Sequence, residues 1–505
     1  MNVRAKQRNP RVLIVTPEIT YLPAGMGNMA NHMTAKAGGL ADVSASLVGA
    51  LFERGADVHV ALPHYRRMFH VDVGQLIDSE LRKYQSHMPE ERIHLAEDRV
   101  FYYRDTVYSS YSEDNPKLAL AFQREVINNI IGRVRPDLIH CNDWMTGLIP
   151  AAARRLGIPC LFTVHNIHTH QITLERVENA GIDAAEFWQN LYYQRPPYNY
   201  EETRSTNLVD MMASGIFAAH YINTVSPTFL QEVVDGGHAW VPDSIRREMA
   251  AKLAAGCAEG ILNAPDESYN PSTDPSLVQC YDAQTHAAGK LACKRELQRR
   301  LSLDQDDGAP VFFWPSRLDP MQKGCSLLSD ILYRTVSKYW GDRLQIVIVA
   351  NGSYQRTFHD IVRFHDIHNR VAVADFNEGL SRLAYAASDF MLMPSLFEPC
   401  GLPQMISSLY GSLPIVRDCG GLHDTVQTLT ANSGNGFPFR DYDAGGLAWG
   451  IDQAMKFWRQ DPERRHQIVA RVMRESRERF NHTVCAAKYM DMYERMLKRP
   501  LNSLQ

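Results

Sequence analysis

The stretch Phe390-Met-Leu-Met-Pro-Ser-Leu-Phe-Glu398-Pro-Cys-Gly-Leu-Pro-Gln404 opens as an apolar run, breaks at Pro394 and resumes as a helix-like segment after Pro403. A short buried strand, a turn and a helix form the repeating unit of α/β folds, whose turns hold phosphorylated ligands at helix N-termini. Glu398 lies in that turn. Its carboxylate is placed to accept hydrogen bonds from sugar hydroxyls, the alternative being a solvated surface acid. Pro403 suits a first helical turn but leaves no backbone N–H there.

The alternation extends outward in both directions. Residues 311–314, 344–350 and 371–374 read as strands, 326–339 and 380–387 as helices, and helix 404–410 with strand 413–417 closes the set. A similar series fills the first half. Strand 11–16 leads into a loop rich in Gly, Met and Asn over 20–36, and a helix follows in which Leu40, Val43, Leu47 and Leu51 recur at three- and four-residue spacing until Gly55. Strands 58–62, 138–140, 160–164 and 221–225 complete it. The expected fold class is α/β, with two Rossmann-like doubly wound domains of parallel sheet facing a cleft. Segment 264–287, with several Pro, Asp and Ser, reads as a linker and hinge, and the last forty residues read as charged amphipathic helices.

The chain's 505 residues exceed what one core supports, and 45% hydrophobic with 22% charged residues fits a globular enzyme. A net charge of −4 spread over both signs provides no basic field, so no nucleic-acid partner is expected. No run of about eighteen apolar residues and no secretory pattern occurs, so no membrane association is expected. Nine cysteines without a CxxC pair point to reduced thiols and a cytoplasmic location.

Lys36-Ala37-Gly38-Gly39-Leu40 precedes a helix. Its glycines allow close backbone approach and its N–H groups can meet phosphate, although a plain helix-entry turn fits equally. Arg317 and Lys323 follow strand 311–314 and can stabilise a diphosphate leaving group, or form an exposed basic loop. His165-Asn166 follows strand 160–164 and can hydrogen-bond a sugar. His168 and His170 stand near it without a supporting metal motif, so no metal site is expected. Phe376 can stack on a nucleobase or belong to the core. Asp143 can bind sugar or cap a helix.

Taken in order, these motifs resemble the bacterial glycogen synthase and plant starch synthase family, and the resemblance covers most of the chain. Its carriers are KAGGLADV (36–43), VHN (164–166), TVSPTF (224–229), ILN (261–263), SRL and QKG, MPSLFEPCGLPQ (393–404) and GGLHDTV (420–426). The resemblance implies the GT-B fold, with residues 1–262 as an acceptor-side domain, 263–486 as a nucleotide-sugar domain, and a C-terminal helix over about 487–505 returning to the first. It implies retaining transfer of glucose from ADP-glucose, or another nucleotide-glucose, to the non-reducing end of an α-1,4-glucan.

By position, Lys36 and Gly39 would contact donor phosphate or the cleft, and Arg317 and Lys323 would hold the diphosphate. Glu398 would bind the glucose 3- and 4-hydroxyls, His165 the 6-hydroxyl, Asn263 the sugar and Phe376 the adenine. Asp42 and Asp143 fall where the family positions glucose or acceptor; Gly38, Asn166, Cys400, Gly401 and Leu402 complete the donor-binding set. No nucleophile is implied, and no metal or other cofactor, because Arg and Lys take the cation's place. Departures gather on the acceptor side: a long loop at 21–35, Cys141-Asn142-Asp143-Trp144-Met145-Thr146 for the family's HDWHT, and HNIHTHQI for HNxxYQG. Pro403 replaces a Thr. A different small-sugar or metabolite acceptor and a catalytically silent glucan-binding homologue are the alternative readings.

Overall fold

In Val311-Phe-Phe-Trp314, Val311 and Phe313 pack into one hydrophobic layer and Phe312 and Trp314 into another. This two-residue period across a strand buried on both faces requires helices above and below the sheet. The computed structural model describes residues 8–27, 30–70, 91–111 and 113–502. Part of the 20–36 loop lies outside them.

The strands are β1 (Arg11–Val15), β2 (Asp57–Pro63), β3 (Ile93–Ala96), β4 (Leu138–Asn142), β5 (Cys160–Val164), β6 (Gln171–Ile172), β7 (Val209–Asp210), β8 (Tyr221–Thr224) and β9 (Ala258–Gly260), followed by β10 (Val311–Trp314), β11 (Gln345–Val349), β12 (Val371–Ala374), β13 (Phe390–Met393), β14 (Leu413–Arg417) and β15 (Phe437–Phe439). Seven form a sheet ordered β3-β2-β1-β4-β5-β8-β9, and six form another ordered β12-β11-β10-β13-β14-β15. Every pairing in both sheets is parallel. β6 and β7 make a separate antiparallel ladder.

In each large sheet the order runs one way to the first strand and then reverses. That places a topological switch point between β1 and β4 in one sheet and between β10 and β13 in the other. Both are therefore doubly wound sheets of the Rossmann type.

The chain divides into two compact units. The first holds the described residues through Val225, Leu230–Leu262, and those from His482 onward; the second holds Ser226–Phe229 and Asn263–Asn481. The last helix, His482–Leu497, starts earlier than residue 487 because Phe480 and Asn481 end the preceding helix, Pro462–Arg479.

A chain of buried hydrogen bonds ties that last helix into the first unit. Tyr493 Oη and His140 Nδ1 lie 2.7 Å apart, His140 Nε2 is 2.6 Å from Thr163 Oγ1, Thr163 donates to Asn223 Oδ1 at 2.5 Å, and Asn223 Nδ2 donates to Tyr489 Oη at 3.0 Å. Because the Asn223 oxygen only accepts, Thr163 donates to it and takes the proton of His140 Nε2. His140 Nδ1 is then the acceptor for Tyr493. Burial holds His140 near pKa 3, in keeping with a neutral ring.

Segment 264–287 is not a linker: its last two residues open the helix His286–Arg300, and 264–285 packs on the second unit. Its Asp274 is 1% exposed and accepts from Tyr410 Oη at 2.5 Å and Arg382 at 3.2 Å, while Tyr281 donates to the Tyr410 carbonyl at 2.8 Å. Its Pro, Asp and Ser content reflects an irregular path anchored on the second unit, with backbone polar groups met by turns. Strands β3, β9 and β15 lie outside the segments that the sequence pattern marks as strands. All are short sheet edges, and β15 carries a proline at its centre, which only an edge tolerates.

Candidate active site

In the second unit the turns after β10 and β13 meet at the switch point. Lys323 Nζ donates to Glu398 Oε2 at 2.6 Å, and Ser395 Oγ donates to the same oxygen at 3.2 Å. Glu398 is only 6% exposed, so the carboxylate is held by a cation and a hydroxyl rather than by water. Its Oε1 makes no hydrogen bond to any described residue and remains an acceptor.

Glycines shape this turn. Gly324, at φ +72°, would place a Cβ 2.2 Å from the Pro394 carbonyl, and Gly421 would place one 2.1 Å from the carbonyl of Cys400. The two loops therefore approach as closely as backbone allows. Gly401 takes φ +74°, and Gln404 Nε2, fully buried, donates to the Cys400 and Gly401 carbonyls at 3.0 and 2.9 Å. Those bonds fix Cys400-Gly401-Leu402 ahead of the helix Pro403–Leu409.

Arg317 is exposed and donates to no described residue, so of the two cations only Lys323 reaches Glu398. Phe376 is 53% exposed while its N–H is held by Asn351 Oδ1 at 2.9 Å, a ring presented to solvent rather than to the core. Asn263 is buried with its side-chain oxygen unpartnered.

The first unit builds its own switch-point cluster from the turns after β1, β4 and β5. Glu18, absent from the residues singled out in the sequence, is its centre. Its Oε2 accepts the N–H groups of Ala37 and Gly38 at 2.8 and 2.9 Å, and Tyr108 donates to Oε1 at 3.0 Å. The N–H groups expected to await phosphate at 37–38 are thus already bound to an internal carboxylate. Reading acids at strand ends, as for Glu398 and Asp143, would have flagged Glu18, which lies just past Val15.

Lys36 pairs with Asp42 at 2.7 Å, and Thr20 donates to Asp42 at 2.6 Å, so this acid in the first turn of helix Gly39–Glu53 serves the lysine. Asp143 adopts φ +57°, unusual for a residue with a side chain. Its carboxylate leaves its own helical turn uncapped and instead accepts the His165 N–H at 2.7 Å and the Asn166 N–H. Asp143 therefore holds the turn that presents His165.

The imidazole is oriented from the other side by Asn142, whose Oδ1 lies 2.9 Å from Nε2. Since that oxygen only accepts, Nε2 carries the proton and Nδ1 offers its lone pair. Burial lowers the His165 pKa to about 3, so the ring is neutral. Burial pushes Asp143 up to about 7, offset by the two backbone donors and reinforced by Glu18. Asn166 is exposed. His168 and His170 stack edge-on at 5.2 Å beside Trp144, and among the described residues no group of three or more His, Cys, Asp or Glu could hold a metal ion.

Residues 11–241 match the family model of the starch synthase catalytic domain, and 297–472 match that of group 1 glycosyl transferases. The chain is 33% identical to a glycogen synthase of Exiguobacterium sibiricum over 91% of its own length and 95% of the relative's, and 33% identical to one of Moorella thermoacetica over 97% of each. Its structure is similar to the catalytic domain of starch synthase IV from Arabidopsis thaliana bound to ADP and acarbose, with a TM-score of 0.76 and 26% identity over 97% of this chain and 100% of that one. A sucrose-phosphate synthase from Thermosynechococcus elongatus, at 18% identity and a TM-score of 0.58, shares the fold. Relatives this similar over nearly the whole length place the chain in the glycogen synthase and starch synthase family: it is a glycosyltransferase with the GT-B fold.

Proposed function

We infer that the chain transfers glucose, with retention, from ADP-glucose to the non-reducing end of an α-1,4-glucan. The observation that carries this reading is the buried Lys323–Glu398 pair at a switch point, with Glu398 Oε1 left as an acceptor. In this reading Glu398 takes the 3- and 4-hydroxyls of the donor glucose, and Lys323 with Arg317 offsets the charge that grows on the departing diphosphate. Phe376 stacks on the adenine, and Asn263 offers its unpartnered oxygen to the sugar. His165, neutral with Nδ1 as acceptor, takes the hydrogen of the 6-hydroxyl. Lys36 and Gly39 contribute to phosphate binding once the lysine leaves Asp42.

The acceptor hydroxyl attacks C1 from the side on which the diphosphate departs. The C1–O bond to phosphate breaks, the new C1–O glycosidic bond forms, and the hydroxyl proton passes to a phosphate oxygen. Side-chain cations supply the positive charge, so the scheme requires no metal.

Labelled ADP-, UDP- and GDP-glucose, each supplied with glycogen and maltooligosaccharides, test it. Incorporation from ADP-glucose is expected, and none from any donor would overturn the reading. Glu398→Ala should lower kcat by roughly 10²-fold or more, the scale for removing a preorganised electrostatic contact.

A further inference from the structure

The second unit has a cavity of about 510 Å³ at the N-terminal ends of β10, β13 and β14, the end of these strands opposite the turns of Lys323 and Glu398. That volume lies within the range of small-molecule sites. Helix His286–Arg300 lines it with His286, Lys290 and Lys294, which share one stripe at i, i+4 spacing, and helix Pro462–Arg479 lines it with Arg465 and His466.

The acids here are already paired. Asp389 accepts Lys294 Nζ at 2.8 Å and the Val311 N–H at 2.9 Å, and Asp307 is held by Arg295 through two bonds of 2.7 and 2.5 Å. Lys290 Nζ is enclosed by the carbonyls of Ala386, Ser388 and Tyr410 at 2.9, 2.8 and 3.1 Å.

Arg465 is different. Its guanidinium lies 4.0 Å over the Trp458 ring, donates to no described residue, and buries Nε without a partner. Stacking orients the plane and leaves its N–H fork without a hydrogen bond, Asp389 and Asp461 acting on it only through space, so the fork is open to an anion. His286 and His466 adjoin it, with ring nitrogens 3.4 Å apart. Burial holds both below their ordinary range, so neither competes as a fixed cation. Phe457, Leu413 and Phe390 supply an apolar wall.

We propose that this cavity binds a small organic anion, with its phosphate or carboxylate head on Arg465 and its apolar body against Phe457 and Leu413. Titration calorimetry on the full chain, with phenyl phosphate and benzoate as probes and phenol and inorganic phosphate as controls, tests the proposal. At least one organic anion should bind at least about 10-fold more tightly than either control. Arg465→Gln, which breaks no protein hydrogen bond, should weaken that binding about 10-fold or more, the scale of a charge-assisted bidentate contact. Ala288→Trp, at an exposed position on the rim, should abolish it sterically. Glucose transfer without the probes should be unchanged in both variants. Lys323→Gln keeps any probe bound here and releases one bound at the opposite edge. Equal binding of probes and controls, unaltered binding in Arg465→Gln and Ala288→Trp, or loss only in Lys323→Gln would each overturn the proposal.

Discussion

At the residue scale, Asp143 concentrates the cost of the first unit's cluster. Its positive φ and half-buried carboxylate are both tolerated in order to hold the His165 turn. Its pKa rises from 3.8 to about 7, so the folded state binds the proton more tightly than the unfolded chain does. The stability from that protonation is fully present below pH 3.8 and is lost as pH rises through about 7. Asp143→Asn removes this dependence. Its unfolding free energy, from urea titration, should gain on the parent's between about pH 4 and pH 8, by the order of 1–2 kcal/mol after allowance for solvent screening at a half-buried group. A difference that does not change with pH would show that Asp143 ionises normally. Glu398 was legible in the sequence because its strand is wholly apolar and is followed by a turn and a helix. The place of Glu18 just past a strand is legible in the same way, but its partners are not, since it accepts N–H groups nineteen and twenty residues away.

At the scale of elements, the active-site turn of the second unit depends on two loops touching through glycine. In Gly324→Ala the new methyl would meet the Pro394 carbonyl at 2.2 Å in a left-handed backbone, a strain of roughly 1–3 kcal/mol. Lys323, the preceding residue, would be displaced from Glu398. The expected outcome is a melting temperature lower by several degrees and kcat/KM lower by about 10-fold or more. Parent-like kinetics in this variant would mean that the Lys323–Glu398 contact does not matter to turnover. The strands and helices around this turn are visible in the sequence as apolar periodicity. The edge strands β3, β9 and β15 are not, because three or four residues are too few to carry a period.

At the scale of the whole molecule, the chain returns to its first unit for its final helix, and the Tyr493–His140–Thr163–Asn223–Tyr489 network fastens it there. Tyr493→Phe keeps the ring but leaves His140 Nδ1 without a donor in a dry site, a loss of about 1–3 kcal/mol. Hydrogen exchange should quicken in β4, β5 and β8 while β10, β11 and β13 keep their protection. Equal loosening of both sheets would contradict the assignment of the helix to the first unit. No described helix is long and apolar enough to cross a membrane.

What the sequence determined by itself is the alternation of buried strands with helices, the doubling of that pattern, and the family to which the motifs point. These are local or periodic properties that a linear reading can recover. Only the tertiary structure decided that Glu18 occupies the N–H groups of Ala37 and Gly38, that Asp143 serves His165 rather than its own helix, and that 264–285 is packed rather than a linker. Each of these is a choice of hydrogen-bond partner between segments far apart in sequence. Composition shows that a polar group needs a partner; only the fold selects which one it meets.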